Sequence, residues 1–285
     1  MVINDTECKC LKDNIDKALE AGMSSLPNET EPVIVEAIFK TLPQAIYDSL
    51  AGNAGGAKIE VYSVFAHKSP LVTYSKDGNK NGCELGDLLI AYVQRYNENT
   101  NCNALLLQAK KTPVEENKVQ KYLYENWPQF EMRKAKAWGI TKADIYPKAV
   151  SQGAMYLLVS SKGGKFEFDV DTVAGVPNAS TPFSEQLVNL VKFVSGRSFS
   201  FDENVPNKDD WSKLMSALIR NSLNVKYNLK ASGAKDKSRQ NAIEYQVFGN
   251  GESGVEGDII EPSNQIMFTE ELLMSTILIV ADVKG

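Results

Sequence analysis

Two segments carry residues whose types and spacing suit chemistry on a phosphate ester: Glu84 to Tyr96 (ELGDLLIAYVQRY) and Asn103 to Lys111 (NALLLQAKK). In extended backbone alternate residues share a face, so Gln108 and Lys110 project together while Ala109 points away. A hairpin with its turn near Asn99 would place Asp87 opposite Lys110 to Thr112. A carboxylate and an amide oxygen are hard ligands for Mg²⁺, which keeps several waters and takes substrate phosphate in its open positions; Mn²⁺ is expected to substitute. Such an ion acidifies a bound water and offsets the charge that grows on a scissile phosphate. A lysine ammonium beside it can orient the attacking water where the transition state is most negative. Asp87, Gln108 and Lys110 are therefore the candidate catalytic residues, with Asp87 and Gln108 the metal ligands. The apolar run before Gln108 adds a second argument, because a partly buried lysine is costly without an anionic partner.

Several elements must position these groups. Asp5 to about Met23 reads as an amphipathic helix, with Leu11, Ile15, Ala18 and Leu19 at helical spacing, and Ser24 to Thr30 as a polar linker. A second helix starts near Glu31, with Pro32 in its first turn, where a missing N–H costs nothing. It ends near Leu50, before the break Gly52-Asn53-Ala54-Gly55-Gly56. Three strands follow: Lys58 to Ala66, Leu85 to Val93 and Ala104 to Lys110, the last two separated by a polar loop around Asn97 to Asn103. A helix from Glu115 to Tyr124 and a buried strand from Ala154 to Ser160, ended by Gly163-Gly164, complete the order helix, three strands, helix, strand. Beyond Pro177 two helices stand out, Ser184 to Val194 with Gly196 as its C-cap glycine, and one capped by Asp209. Thr276 to Val283 is a final strand. Residues 1–30 thus form an N-terminal helix and linker, 31–176 an α/β core, and 177–285 a mostly helical accessory region, either separate or part of the same domain.

Bulk properties narrow the partners. The formal net charge of -5 argues against a globally basic nucleic-acid coat. Basic residues nevertheless outnumber acidic ones from Ala109 to Lys148 and from Lys208 to Arg239, whereas the chain beyond Asn241 is acidic. That distribution fits a focused anion site. Lys111, Lys118 and Lys121 are candidate phosphate contacts, with Arg133, Lys134 and Lys136 behind them; as surface residues they are equally at home in water. Cys8, Cys10, Cys83 and Cys102 with the single His67 fall short of a structural zinc site and read as reduced thiols. No signal peptide or membrane-length apolar run is visible, so a soluble cytoplasmic protein without a membrane partner is expected.

Asp87 with Gln108-Ala109-Lys110, in that order of elements, resembles the core of the PD-(D/E)xK nuclease superfamily, the restriction-endonuclease-like fold. Gln108 stands where most members carry Asp or Glu, as in the Mrr-like variant, and removes one negative charge from the metal site. The resemblance spans Glu31 to Ser160. It implies a Mg²⁺-dependent endonuclease acting on double-stranded DNA as a homo-oligomer, in restriction or antiviral defence, alone or with a partner subunit. It also implies an acid from the first core helix, Glu31 or Glu36. Glu31 shares a face with Ile34, Ile38 and Leu42 and is preferred, although a first-turn acid also complements the helix dipole. Gln120 and Tyr124 have the Gln-x-x-x-Tyr spacing of the RecB-type branch. They share a helical face from which they could touch DNA or brace the catalytic strand. Glu84, three residues before Asp87, joins the site only if Gly86 breaks the strand. The competing expectation is a nuclease-like fold kept as a non-catalytic module that binds nucleic acid or protein, with Gln108 as the mark of lost activity.

Overall fold

The computed structural model describes residues 3–24, 30–52, 57–66, 70–112, 117–140, 144–148, 152–162, 165–171, 180–201, 209–223, 243–248 and 274–283. His67, Gly163-Gly164, Glu115, Pro177 and most of the Gly52–Gly56 break lie outside them.

Helices α1 (Asp5–Met23) and α2 (Glu31–Ala51) form where the apolar periodicity places them. Asn4 caps α1 in a reciprocal box with Glu7, satisfying orphan N–H groups at the helix start. Strand β1 (Lys58–Ala66) leads into a hairpin that the sequence reading passed over, β2 (Leu71–Lys76) and β3 (Asn79–Glu84). Its two-residue turn is Asp77-Gly78, both at positive φ (51° and 76°), the backbone twist that two-residue hairpins favour. Next come β4 (Leu88–Tyr96), β5 (Asn99–Lys111), α3 (Lys118–Asn126), β6 (Phe130–Met132), a single 3-10 turn at Ala135–Trp138, and β7 (Asp144–Ile145). Then follow β8 (Ala154–Lys162), β9 (Lys165–Asp171), β10 (Thr181–Pro182), α4 (Phe183–Val191), β11 (Arg197–Phe199), α5 (Asp210–Leu223), β12 (Ile243–Phe248) and β13 (Thr276–Val283).

The main mixed sheet is nine-stranded, in the order β10-β9-β8-β5-β4-β13-β1-β12, with β11 also paired to β5. Strands β3-β2-β6-β7 make a second, antiparallel sheet. Helices α1, α2 and α4 cover one face of the main sheet, burying Leu11, Ile38 and Leu187 against Ile90, Leu105 and Ile279. Helices α3 and α5 and the small sheet cover the other, where Leu123, Leu218 and Phe130 meet Leu89, Leu106 and Leu278. The protein is an α/β structure in three layers.

Two expectations change here. The three strands beginning at β1 are not a meander, because β13 runs between β1 and β4, antiparallel to the first and parallel to the second. The reason lies in the composition of β13: Thr276 to Ala281 are all buried, with Ile277 and Ile279 facing one core and Leu278 and Val280 the other. A strand apolar on both faces belongs inside a sheet, not at its edge. Among the described residues beyond 177 the chain contributes helices α4 and α5 and four strands, one of them central, so this part is built into the main sheet. Helix α4 also stops earlier than Val194. Phe193 takes the left-handed conformation (φ 59°) that ends it, and Gly196 (φ 78°) serves a tight approach, where a Cβ would lie 2.6 Å from Leu190 Cδ1. Asp209 does cap α5, accepting from the backbone N–H of Trp211 at 3.0 Å.

Among the described residues no helix is long and apolar enough to cross a membrane, and none of the four cysteines is in a disulfide. If β13 belongs to the same cooperative unit as β4 and β5, Leu278→Ala should cost about 2–5 kcal/mol by leaving a cavity in the core. Urea unfolding should show one transition, shifted as a whole; a transition of the core that ignores this substitution would contradict the integrated sheet.

Candidate active site

The β4–β5 hairpin closes through Asn97-Glu98, with Tyr96 paired to Asn99 and Asn97 at φ 52°. Asparagine tolerates this left-handed conformation better than most residues, which allows so short a turn. The polar stretch from Asn99 to Asn103 is therefore strand and not loop, and the register differs from expectation. Leu88 pairs with Leu107, and the Asp87 N–H donates to the Leu107 carbonyl at 2.8 Å. Asp87 stands opposite Gln108, not opposite Lys110 to Thr112. The shift brings carboxylate and amide into direct contact.

Gln108 Nε2 donates to Asp87 Oδ2, which also accepts from the Ala109 N–H at 2.9 Å. That backbone donor had no sequence signature, since any residue at 109 supplies it. Behind this pair, Gln120 Nε2 on α3 donates to Gln108 Oε1 at 2.6 Å. Four residues on, the Tyr124 hydroxyl donates to the Leu85 carbonyl at 2.9 Å. Gln120 and Tyr124 thus both reach the Asp87–Gln108 end of the sheet from one side of α3, as their spacing predicts. Gly86 makes the approach feasible: a Cβ there would lie 2.8 Å from Leu106 Cδ1 and 2.9 Å from the Tyr124 hydroxyl.

Glu31, in the first turn of α2, reaches the same end of the sheet. Its Oε2 pairs with Lys110 Nζ at 3.0 Å and its Oε1 accepts the Lys111 N–H at 3.2 Å. The lysine of the Gln-x-Lys segment thereby has the anionic partner that its half-buried position requires. Glu36 is elsewhere, paired with Lys40 at 2.6 Å on the helix surface, so of the two acids only Glu31 joins the cluster. Glu84 closes β3 in the small sheet, and Leu85-Gly86 carries the chain from that sheet to Asp87. Glu84 is therefore beside the site by a change of sheet and not by a bulge within one strand. Of the proposed phosphate contacts, Lys118 is exposed at the start of α3, and Lys111 and Lys121 are partly exposed.

The electrostatics follow from this crowding. Burial pushes the Asp87 carboxyl up from 3.8 to about 7; Glu84 and Glu31 add to the shift, while the Ala109 N–H and Lys110 oppose it. Burial also raises Glu84, with Lys110 lowering it and Glu31 raising it. A partly desolvated carboxylate with like charges nearby is a place where added positive charge is strongly favoured. Among the described residues no three His, Cys, Asp or Glu side chains form a ready metal cage. Mg²⁺ does not need one: it commonly takes one or two carboxylates and retains water. Asp87 with an oxygen from Glu84 could serve as a donor set of that kind, whereas the Gln108 oxygen is turned to Gln120 and would reach an ion only if the amide reversed.

No family model matches the chain, and no curated protein or solved structure resembles it significantly. The chemistry of the site therefore rests on its own geometry.

A pH dependence follows. The folded protein holds the Asp87 proton more tightly than the unfolded chain, so this group's stabilising contribution is complete below pH ~4 and lost as pH rises through about 7. A shift of that size corresponds to roughly 4 kcal/mol. In chelator-treated protein, Asp87→Asn should match the unaltered chain in acid and exceed it increasingly towards pH 8, by denaturant unfolding. A gap that stays constant with pH would show that Asp87 does not carry the shift.

Proposed function

We propose that this protein is a divalent-metal-dependent nuclease that hydrolyses phosphodiester bonds in DNA, with Mg²⁺ as its ion and Mn²⁺ as a substitute. The observation that carries this reading is the convergence of Asp87, Gln108, Lys110 and Glu31 at one end of neighbouring strands. Their residue types and order along the chain resemble those of the PD-(D/E)xK superfamily in its Gln-x-Lys form, although β13 interrupts the strand meander expected of that core.

Asp87 would hold the ion, with Gln108 or Glu84 as the second protein ligand. The bound ion supplies an acidified water and positive charge at the scissile phosphate. Lys110 contributes what a buried ammonium can: donors aimed at the attacking water and at the non-bridging oxygens, fixed in place by Glu31. Glu31 in turn is locked by the Lys111 N–H, so the lysine and the strand that bears it are positioned by one carboxylate. Asp87 receives two hydrogen bonds that fix its carboxylate before substrate arrives. Lys111, Lys118 and Lys121 would neutralise phosphates of the bound strand, which makes binding fall with added salt.

A second reading has an observation of its own. With Gln108 donating to Asp87 and Glu31 paired to Lys110, the cluster satisfies much of its hydrogen bonding internally. A nuclease-like site kept only for binding would look much the same.

Plasmid incubated with the unaltered protein in Mg²⁺ or Mn²⁺ distinguishes them. Cleavage is expected, and Asp87→Ala and Lys110→Ala should each slow it by on the order of 100-fold or more while leaving the fold intact by circular dichroism. Tight binding without cleavage, across several metals and both single- and double-stranded substrates, would establish the binding module instead.

A further inference from the structure

An amide has one end that only accepts and one that only donates. Gln120 grips Gln108 by the accepting end, at 2.6 Å, and so turns its donating end onto Asp87. Both glutamines are buried, 1% and 4% exposed, so bulk water cannot replace a lost partner for either. In this orientation Gln108 offers N–H groups at Asp87, which suit a bare carboxylate and repel a cation. Reversing the Gln108 amide would bring its oxygen there, but its NH₂ would then meet the NH₂ of Gln120. Two donors facing each other in a buried position are strongly disfavoured, unless Gln120 reverses as well. The two amides are therefore coupled, and one concerted reversal exchanges a donor for an acceptor beside Asp87. Tyr124, hydrogen-bonded to Leu85 one turn along α3, keeps Gln120 from relieving the conflict by drifting away.

We propose that Gln120 is a positioning residue that sets the amide orientation of Gln108 and thereby the divalent-cation affinity of the Asp87 centre. Without the ion, N–H groups face Asp87; with it, the Gln108 oxygen does. This deepens the metal-dependent reading above and rests on it. The signal was present in the sequence as the spacing of Gln120 and Tyr124, but what those side chains touch was not.

The test is Mn²⁺ affinity, read from free Mn²⁺ by electron paramagnetic resonance in mildly alkaline buffer, in a double-mutant cycle. An ionised carboxylate at position 120 can only accept, so at alkaline pH Gln120→Glu draws the Gln108 NH₂ to itself and turns the oxygen towards Asp87. It should tighten Mn²⁺ by on the order of tenfold, the worth of one hydrogen bond. The added charge alone could also attract the ion, and a Gln108→Met background, of similar size but with no amide to orient, separates the two causes. There only the added charge acts, so Gln120→Glu should tighten Mn²⁺ by clearly less than it does with Gln108 present. Equal tightening in both backgrounds, or none in the presence of Gln108, overturns the inference. A second measurement needs no substitution at 120: the side-chain NH₂ resonances of Gln108 and Gln120 should move together as Mg²⁺ is added. Movement of Gln108 with Gln120 unchanged overturns it equally. If the unaltered protein shows no Mn²⁺ binding that Asp87→Ala removes, the metal-dependent function itself fails, and the coupling falls with it.

Discussion

The register of the β4–β5 hairpin is the constraint on which the site depends. A two-residue turn at Asn97-Glu98 fixes every pair along the ladder, and that ladder sets Asp87 against Gln108. Strand registers are discrete: a slip of one residue would carry Gln108 and Lys110 to the opposite face of the sheet. The apolar pattern forbids that slip, because Leu105 and Leu107 fill one core and Leu106 the other, each fully buried. The hydrophobic core therefore holds a polar cluster in place without contributing a polar atom to it.

Around that register the cluster is assembled from four separate pieces of chain. Glu31 comes from the start of α2, Glu84 from the end of the small sheet, Asp87 and Lys110 from the hairpin, and Gln120 from α3. Three carboxylates share one nearby ammonium at Lys110, and the Asp87 carboxyl is raised to about 7 by burial first and by its acidic neighbours second. The Lys110–Glu31 pair and the hydrogen bonds to Asp87 offset part of this repulsion, and the surrounding packing holds the rest.

Much of this was legible in the residues. Strands β1 and β13 and helix α1 begin and end where periodicity and composition place them, and Asp87, Gln108, Lys110, Glu31, Gln120 and Tyr124 do meet. What escaped was long-range. Nothing local says that residues 276–283 pair with β4, although a strand apolar on both faces was a sign that it belongs inside the sheet. The Asp77-Gly78 turn was a short-range signal overlooked, and with it went the small sheet that delivers Glu84. The hairpin register was misplaced because the Asn-rich stretch from Asn97 to Asn103 reads as loop, whereas only two of its residues turn. Backbone donors such as the Ala109 and Lys111 N–H groups leave no trace in residue identity at all.

Anomalous scattering from crystals soaked in Mn²⁺ reads out whether this end of the sheet takes a cation. A peak is expected about 2.0–2.2 Å from an Asp87 carboxylate oxygen, the distance range of small divalent ions on oxygen, with a Glu84 or Gln108 oxygen also in the coordination shell. A well-diffracting crystal with Mn²⁺ bound elsewhere, or with no peak beside Asp87, would contradict a cation site here.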